Sequence, residues 1–176
     1  MFKLIVCTNL VGAIGKDNKL LYQIPNDMEN FKRFTDNNTV IMGMKTYLSL
    51  PNQKPLKNRT NIVLTSNPKL CTEKFGDTTV HFVNSINGAI TLMRHLNIKN
   101  EDVFVIGGSS IYNAFLDENL ISEAYITLVE DKTEGDSYFS LKNFSDSKWK
   151  KIYESSTQKH QELKYKFLIY KNVGNE

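Results

Sequence analysis

Five short apolar runs, "KLIVCT", "TVIMG", "NIVLT", "VHFV" and "VFVIG", limit what this chain can fold into more than any other feature. A strand that is apolar at nearly every position has to be covered on both faces, which is the signature of buried, mostly parallel strands. Each run is followed by turn residues or a helical pattern. The alternation predicts an α/β sheet with helices on both faces. Helices are expected near Pro25 to Thr35, near Lys45 to Ser49, from about Ser85 to Leu96, and after Gly108 through Phe115. Later, "EAYITLVED", "WKKIYES" and "LKYKFLIYK" arrive with no helix between them, so the last two are expected to pair antiparallel and make the sheet mixed. The longest loops are expected around "LPNQKPLKNRTN", around "SNPKLCTEKFGDTT", and from Lys132 to Lys148.

Composition narrows the function classes. A chain of 176 residues with no internal repeat and no dividing linker is read as one domain with one site. Its 22 basic and 19 acidic residues leave a charge of +3 without a basic, aromatic-interleaved tract, so no nucleic-acid partner is expected. Cys7 and Cys71 fit neither a zinc spacing nor a disulfide framework, which points to a reducing cytoplasm. The apolar run near the amino terminus is strand-length, too short for a signal or a membrane span. A soluble monomer without a metal is the expectation.

The stretch "PNDMENFKRF" carries the first chemical signal. In a helix begun at Pro25, Asp27 shares an arc with Met28, Phe31 and Phe34, while Glu29, Asn30, Lys32, Arg33 and Asp36 take the rest. Asp27 is either a first-turn carboxylate favoured by the helix dipole or an acid in a dry cleft, where burial raises its pKa toward neutrality. Met28 and Phe31 are either ordinary core or the wall of a flat ligand's pocket.

Other stretches are open in the same way. "VFVIGGSSIYNAF" is a tight strand-to-helix connection or a phosphate loop, in which backbone N–H groups and absent Cβ atoms admit an anion. Gly43, Lys45 and Thr46 in "VIMGMKTY" repeat that choice. Arg59, just before a buried strand, is a surface arginine or a bidentate clamp for a carboxylate. His81, His95 and His160 are scattered and suggest no triad.

Taken in order, "VGAIG", "IPNDMENFKRFT", "VIMGMKTYLSLP", "LKNRTNIVLTS", "VFVIGGSSIY", "AYITLV" and "EGDSYF" resemble dihydrofolate reductase over nearly the whole length. The resemblance implies a cytoplasmic enzyme that reduces 7,8-dihydrofolate to tetrahydrofolate with NADPH. Asp27 matches the ionisable group of the pterin pocket, promoting protonation of N5 through water, and Thr127 matches the threonine that braces it. Ile5, Met28, Phe31, Leu50 and Leu56 match the apolar walls, and Arg59 matches the arginine that holds the glutamate α-carboxylate. Cys7, Ile14, Gly15 and Leu20 match the strand and loop beside nicotinamide. Gly43, Lys45 and Thr46, with Leu64, Thr65 and Ser66, match the adenosine and phosphate side. Ile106, Gly107, Gly108, Ser109, Ser110, Ile111 and Tyr112 match the second phosphate loop, whose glycine pair is cis in the family.

Three positions depart from the pattern. Tyr22 replaces a tryptophan that contacts substrate and orders water near the acid; its phenol can still donate a hydrogen bond, from a different position, and it is counted with Asp27 and Thr127 as catalytic. Met44 replaces an arginine that faces the 2′-phosphate, and Ser110 another basic residue. The rival readings are a sister reductase acting on another pterin or a pyrimidine, and a non-catalytic folate-binding protein on the same scaffold.

Overall fold

A computed structural model describes residues 1–174. The chain runs β1 (Phe2–Asn9), β2 (Ala13–Lys16), β3 (Lys19–Leu20), α1 (Pro25–Thr35), β4 (Thr39–Gly43), α2 (Met44–Ser49), β5 (Thr60–Leu64), α3 (Pro68–Phe75), β6 (Val80–Val83), α4 (Ile86–His95), β7 (Val103–Gly107), α5 (Ser109–Asp117), β8 (Ile121–Val129), β9 (Ser137–Tyr138), β10 (Trp149–Glu154), β11 (Gln158–His160) and β12 (Leu163–Asn172). The main sheet is ordered β10-β12-β8-β1-β7-β4-β5-β6, with β11 on β12. Neighbours from β8 across to β6 are parallel. The carboxy-terminal pairs β8–β12 and β10–β12 are antiparallel, as expected for strands joined without helices.

Alternation along the strands assigns the faces. Phe2, Leu4 and Val6 of β1 join Ile41, Val105 and the inward residues of α4 and α5, among them Ala89, Met93 and Phe115. Val40, Met42 and Val63 point the other way, onto Tyr47 of α2 and Cys71 of α3. With both faces covered, the central strands can be apolar throughout. The odd residues of β1, Ile5 and Cys7, therefore lie on the face opposite α4 and α5, and Cys7 is in register with Thr127 of β8.

α1 has no side-chain N-cap; Pro25 starts it and Asp27 stands in its first turn. Two features depart from the sequence expectation. α3 forms where a loop was expected: Pro68 can open a helix, but the helix is eight residues long, leaves Leu70 63% exposed and buries only Cys71, so its apolar period is faint. A small sheet, β3-β2-β9, also gathers the segment after β1 with one from the 132–148 region, through pairs too short to leave a two-residue pattern. Among the described residues no helix is long and apolar enough to cross a membrane.

From β1 the chain leaves toward β4, and from the adjacent β7 it leaves through α5 toward β8 on the other side. Neighbouring strands whose exits diverge open a crevice at their carboxyl ends, where ligands bind in open α/β sheets.

Candidate active site

Asp27 stands in that crevice. Its Oδ1 accepts a hydrogen bond of 2.5 Å from Oγ1 of Thr127, a contact between the first turn of α1 and the carboxyl end of β8. Burial raises the Asp27 pKa above the ordinary carboxylate value, against the hydrogen bonds from Thr127 and Cys7, which lower it. Burial, with the Asp27 charge beside it, pushes the Cys7 thiol well up. Cys7 is thus a neutral donor rather than a nucleophile. Both sequence readings of Asp27 hold together: it is a first-turn carboxylate and it is also desolvated.

A cavity of about 200 Å³ lies against Asp27, Ile5 and Thr127 and runs out between α1 and the strands β8 and β12. Asn30, Arg33, Phe34, Tyr125 and Tyr153 are among its walls, none of them singled out as a site residue from sequence. The walls that were expected, Met28, Phe31, Leu50 and Leu56, do not line it. Met28 is 46% exposed, while the other three are half-buried. Leu50 and Leu56 pack at the edge of the α2–α3 cluster.

At the far end of α1 sits Arg59. Its Nε donates to Thr35 Oγ1 at 2.9 Å, Nη1 to the carbonyl of Lys57 at 2.5 Å and Nη2 to that of Lys32 at 3.4 Å. Its ring partner is Phe31, 6.0 Å away. Desolvation lowers the Arg59 pKa, opposed by the charge of Asp36, yet an arginine stays protonated. Asn61 shapes the approach: fully buried, it accepts from the backbone N–H of Leu56 and donates to the carbonyls of Leu56 and Arg59. From Asp27 to Thr35 a helix rises about 12 Å, so α1 separates an acid at one end from a guanidinium at the other.

The glycines meet at the strand ends. A Cβ on Gly43 would approach Ile111 Cγ1 to 2.9 Å, one on Gly108 would come within 3.4 Å of Thr46 Oγ1, and one on Gly107, whose φ is +116°, would crowd the ring of Tyr112. The Gly107–Gly108 peptide is cis. Tyr112 is buried and donates to the carbonyl of Ile5 at 2.7 Å, which ties α5 to β1. Gly43 pairs with Leu64, so Lys45 and Ser66, two residues beyond each, are both exposed at neighbouring strand ends. Met44 turns instead toward the Cys71 thiol, 3.9 Å away. Thr65 and Ile106 are half-buried, and Ser110 is exposed.

The loop after β1 is braced by the segment after β8. Gly15 accepts from the backbone N–H of Asp136, Asp17 donates to its carboxylate, and Ser109 and Ser137 share a hydroxyl contact of 2.5 Å. Ile14 packs on the main core and Leu20 is exposed.

Tyr22 is the correction. Its hydroxyl gives its one proton to Asp131 and accepts from Asn9 Nδ2 at 2.8 Å, leaving none to donate to a water beside Asp27. The ring packs with Ile24, Val129 and Tyr165. Hydrogen bonds from Thr133 and then Tyr22 hold the Asp131 carboxyl at about 2. Burial and then the bond to Asp131 raise the Tyr22 phenol to about 12. The carboxylate side of this linkage is lost as pH falls toward 2 and the phenol side as pH rises toward 12, so the network is intact across neutral pH. Tyr22→Phe is expected to lower stability by roughly 1–2 kcal/mol at pH 7 in denaturant titration, without moving the ionisation seen in the pH–rate profile.

An α/β sheet with a switch-point crevice, glycine-lined strand ends and a desolvated carboxylate is the arrangement of a nucleotide-dependent enzyme. The chain belongs to the dihydrofolate reductase family, NADPH-dependent enzymes that reduce dihydrofolate: the family model described as "Dihydrofolate reductase" matches residues 1–172. It is 33% identical over 177 residues to dihydrofolate reductase of Bacillus subtilis (strain 168), covering 99% of this chain and 96% of that one. Over 165 residues it is 30% identical to dihydrofolate reductase of Staphylococcus aureus (strain Mu50 / ATCC 700699), covering 94% of each. It also matches the bifunctional dihydrofolate reductase-thymidylate synthase of Paramecium tetraurelia at 30% identity over 171 residues, 97% of this chain and 35% of that protein.

Proposed function

We propose that Asp27 is the group through which a proton reaches N5 of dihydrofolate, by way of water, during reduction to tetrahydrofolate. The observation that carries this is the desolvated Asp27 carboxylate held at 2.5 Å by Thr127. Thr127 fixes one oxygen and leaves the other to face the pterin. The cavity behind α1 reaches Asp27 from outside and gives it a path by which to regain its proton from solvent. Ile5, Met28, Phe31, Leu50 and Leu56 supply apolar surface along the substrate, and Arg59 receives its glutamate α-carboxylate with the N–H groups left over from its protein contacts. Tyr22 positions the loop after β1 instead of touching the proton.

The glycine cradle fits NADPH: without Cβ atoms Gly43 and Gly107 let the strand ends close against Ile111 and Tyr112 of α5, and Gly108 is left nearly open beside Thr46, where a phosphate can approach the backbone. When bound, NADPH supplies the hydride. Gly43, Thr46, Gly107, Gly108, Ser109, Ser110, Ile111 and Tyr112 would hold its phosphates, Cys7, Ile14, Gly15 and Leu20 its nicotinamide side, and Leu64, Thr65 and Ile106 its remaining apolar contacts. With Met44 turned inward, Lys45 and Ser66 are the groups left to meet a 2′-phosphate. Every one of these groups comes from one chain, so a monomer suffices.

Following the nicotinamide absorbance of purified protein mixed with dihydrofolate and NADPH tests the reading. The proton donor is active when protonated, so kcat/KM is expected to fall with rising pH through one ionisation above the ordinary carboxylate range; a flat profile would remove Asp27 from the role. Lys45→Ala is expected to raise KM for NADPH about fivefold and leave that for NADH unchanged, as measured by kcat/KM with both cofactors.

A further inference from the structure

The carboxylate of Asp36 has no local explanation. Its Oδ1 is buried without a hydrogen-bond partner, while Oδ2 takes a single long bond of 3.4 Å from Asn37. Asp36 also caps the carboxyl end of α1, where the helix dipole disfavours an anion. Its nearest cation is Arg59, whose Nη1 stands 3.9 Å from that orphan oxygen, close enough for attraction and too far for a hydrogen bond. Arg59 uses three of its N–H groups on Thr35, Lys57 and Lys32, and a guanidinium has five. The two that remain are wanted by two carboxylates.

Resting on the reading that Arg59 holds the substrate's tail, we infer that Asp36 is a specificity-determining residue: a resident carboxylate that competes with the substrate's α-carboxylate for Arg59 and so weakens the enzyme's preference for glutamate-tailed folates over tail-less pterins. When no tail is bound, a small rotation toward Asp36 satisfies its buried oxygen. When a tail arrives, that stabilisation is given up, and two negative charges then share one positive one. The same atoms explain why a carboxylate is tolerated at a helix end: the arginine beside it offsets the unfavourable dipole.

The test measures kcat/KM for dihydrofolate and for a 7,8-dihydropterin carrying only a methyl group at C6, in the wild type, Asp36→Asn, Asp36→Ala, Arg59→Ala and the Asp36→Asn/Arg59→Ala double variant. The ratio of tailed to tail-less substrate is expected to rise about fivefold in both Asp36 variants at low ionic strength. The rise should shrink in roughly 0.5 M salt, and it should be absent when Arg59 is already gone. Removing an anion from a helix end should not lower Tm, so lost folding would not mask the result. An unchanged or smaller ratio in the Asp36 variants, with Arg59→Ala still lowering it, overturns the inference alone. If Arg59→Ala leaves the ratio unchanged, the tail reading falls and takes the inference with it.

Discussion

Asp27→Asn is expected to lower kcat/KM for dihydrofolate at pH 7 by roughly 10²- to 10⁴-fold, the range that a positioned proton donor contributes. The amide keeps the shape of the side chain and can still bond Thr127, so the pterin pocket should stay formed; what is lost is a proton that can leave. Activity should partly return in acid, where substrate arrives already protonated, and the ionisation in the pH–rate profile should disappear. Stability is expected to move the other way. Because burial raises the Asp27 pKa in the folded protein, the folded state resists ionisation, and wild-type stability declines as pH rises through that pKa. Asparagine has no such charge, so the variant should melt higher than wild type at pH 7 and lose that advantage near pH 3. A variant that retains wild-type kcat/KM at pH 7, or one that melts lower there, would show that Asp27 is structural.

How much of this was legible in the sequence follows from the range of each interaction. Asp27 could be placed because a helical period is local: Pro25, Met28 and Phe31 settle where it points. The sheet could be read from runs that need cover on both faces, and both faces are covered. Thr127 lies 100 residues from Asp27, and nothing near it in the chain marks it; only the resemblance selected it, and the register of β1 with β8 brings it there. Tyr22 failed for the same reason in reverse. Its position suggested a donor to water, but its proton goes to Asp131, 109 residues away, in a loop whose path no pattern describes. Asp36 looked like one more residue on a solvated arc, and the orphan oxygen that distinguishes it exists only once Arg59 is folded against α1.

Arg59→Ala is expected to raise KM for dihydrofolate by roughly 30- to 150-fold, the equivalent of about 2–3 kcal/mol, with a smaller change in kcat. Two N–H groups that would meet the tail are lost, and each hydrogen bond to a charged partner is at the strong end of the ordinary range. Arg59→Lys separates charge from geometry: it restores the charge without the planar fork, so it should recover part of the affinity and show a steeper dependence on salt. The protein contacts of Arg59 carry a stability cost as well, since Thr35 is buried and loses a partner, and Tm should fall by a few degrees in Arg59→Ala. That cost is common to all substrates and the tail effect is not, so tail-less pterins decide between them: their KM should stay near the wild-type value, and an equal rise for both substrates would mean that Arg59 acts through the fold of α1 and the 56–59 segment rather than through the substrate's carboxylate.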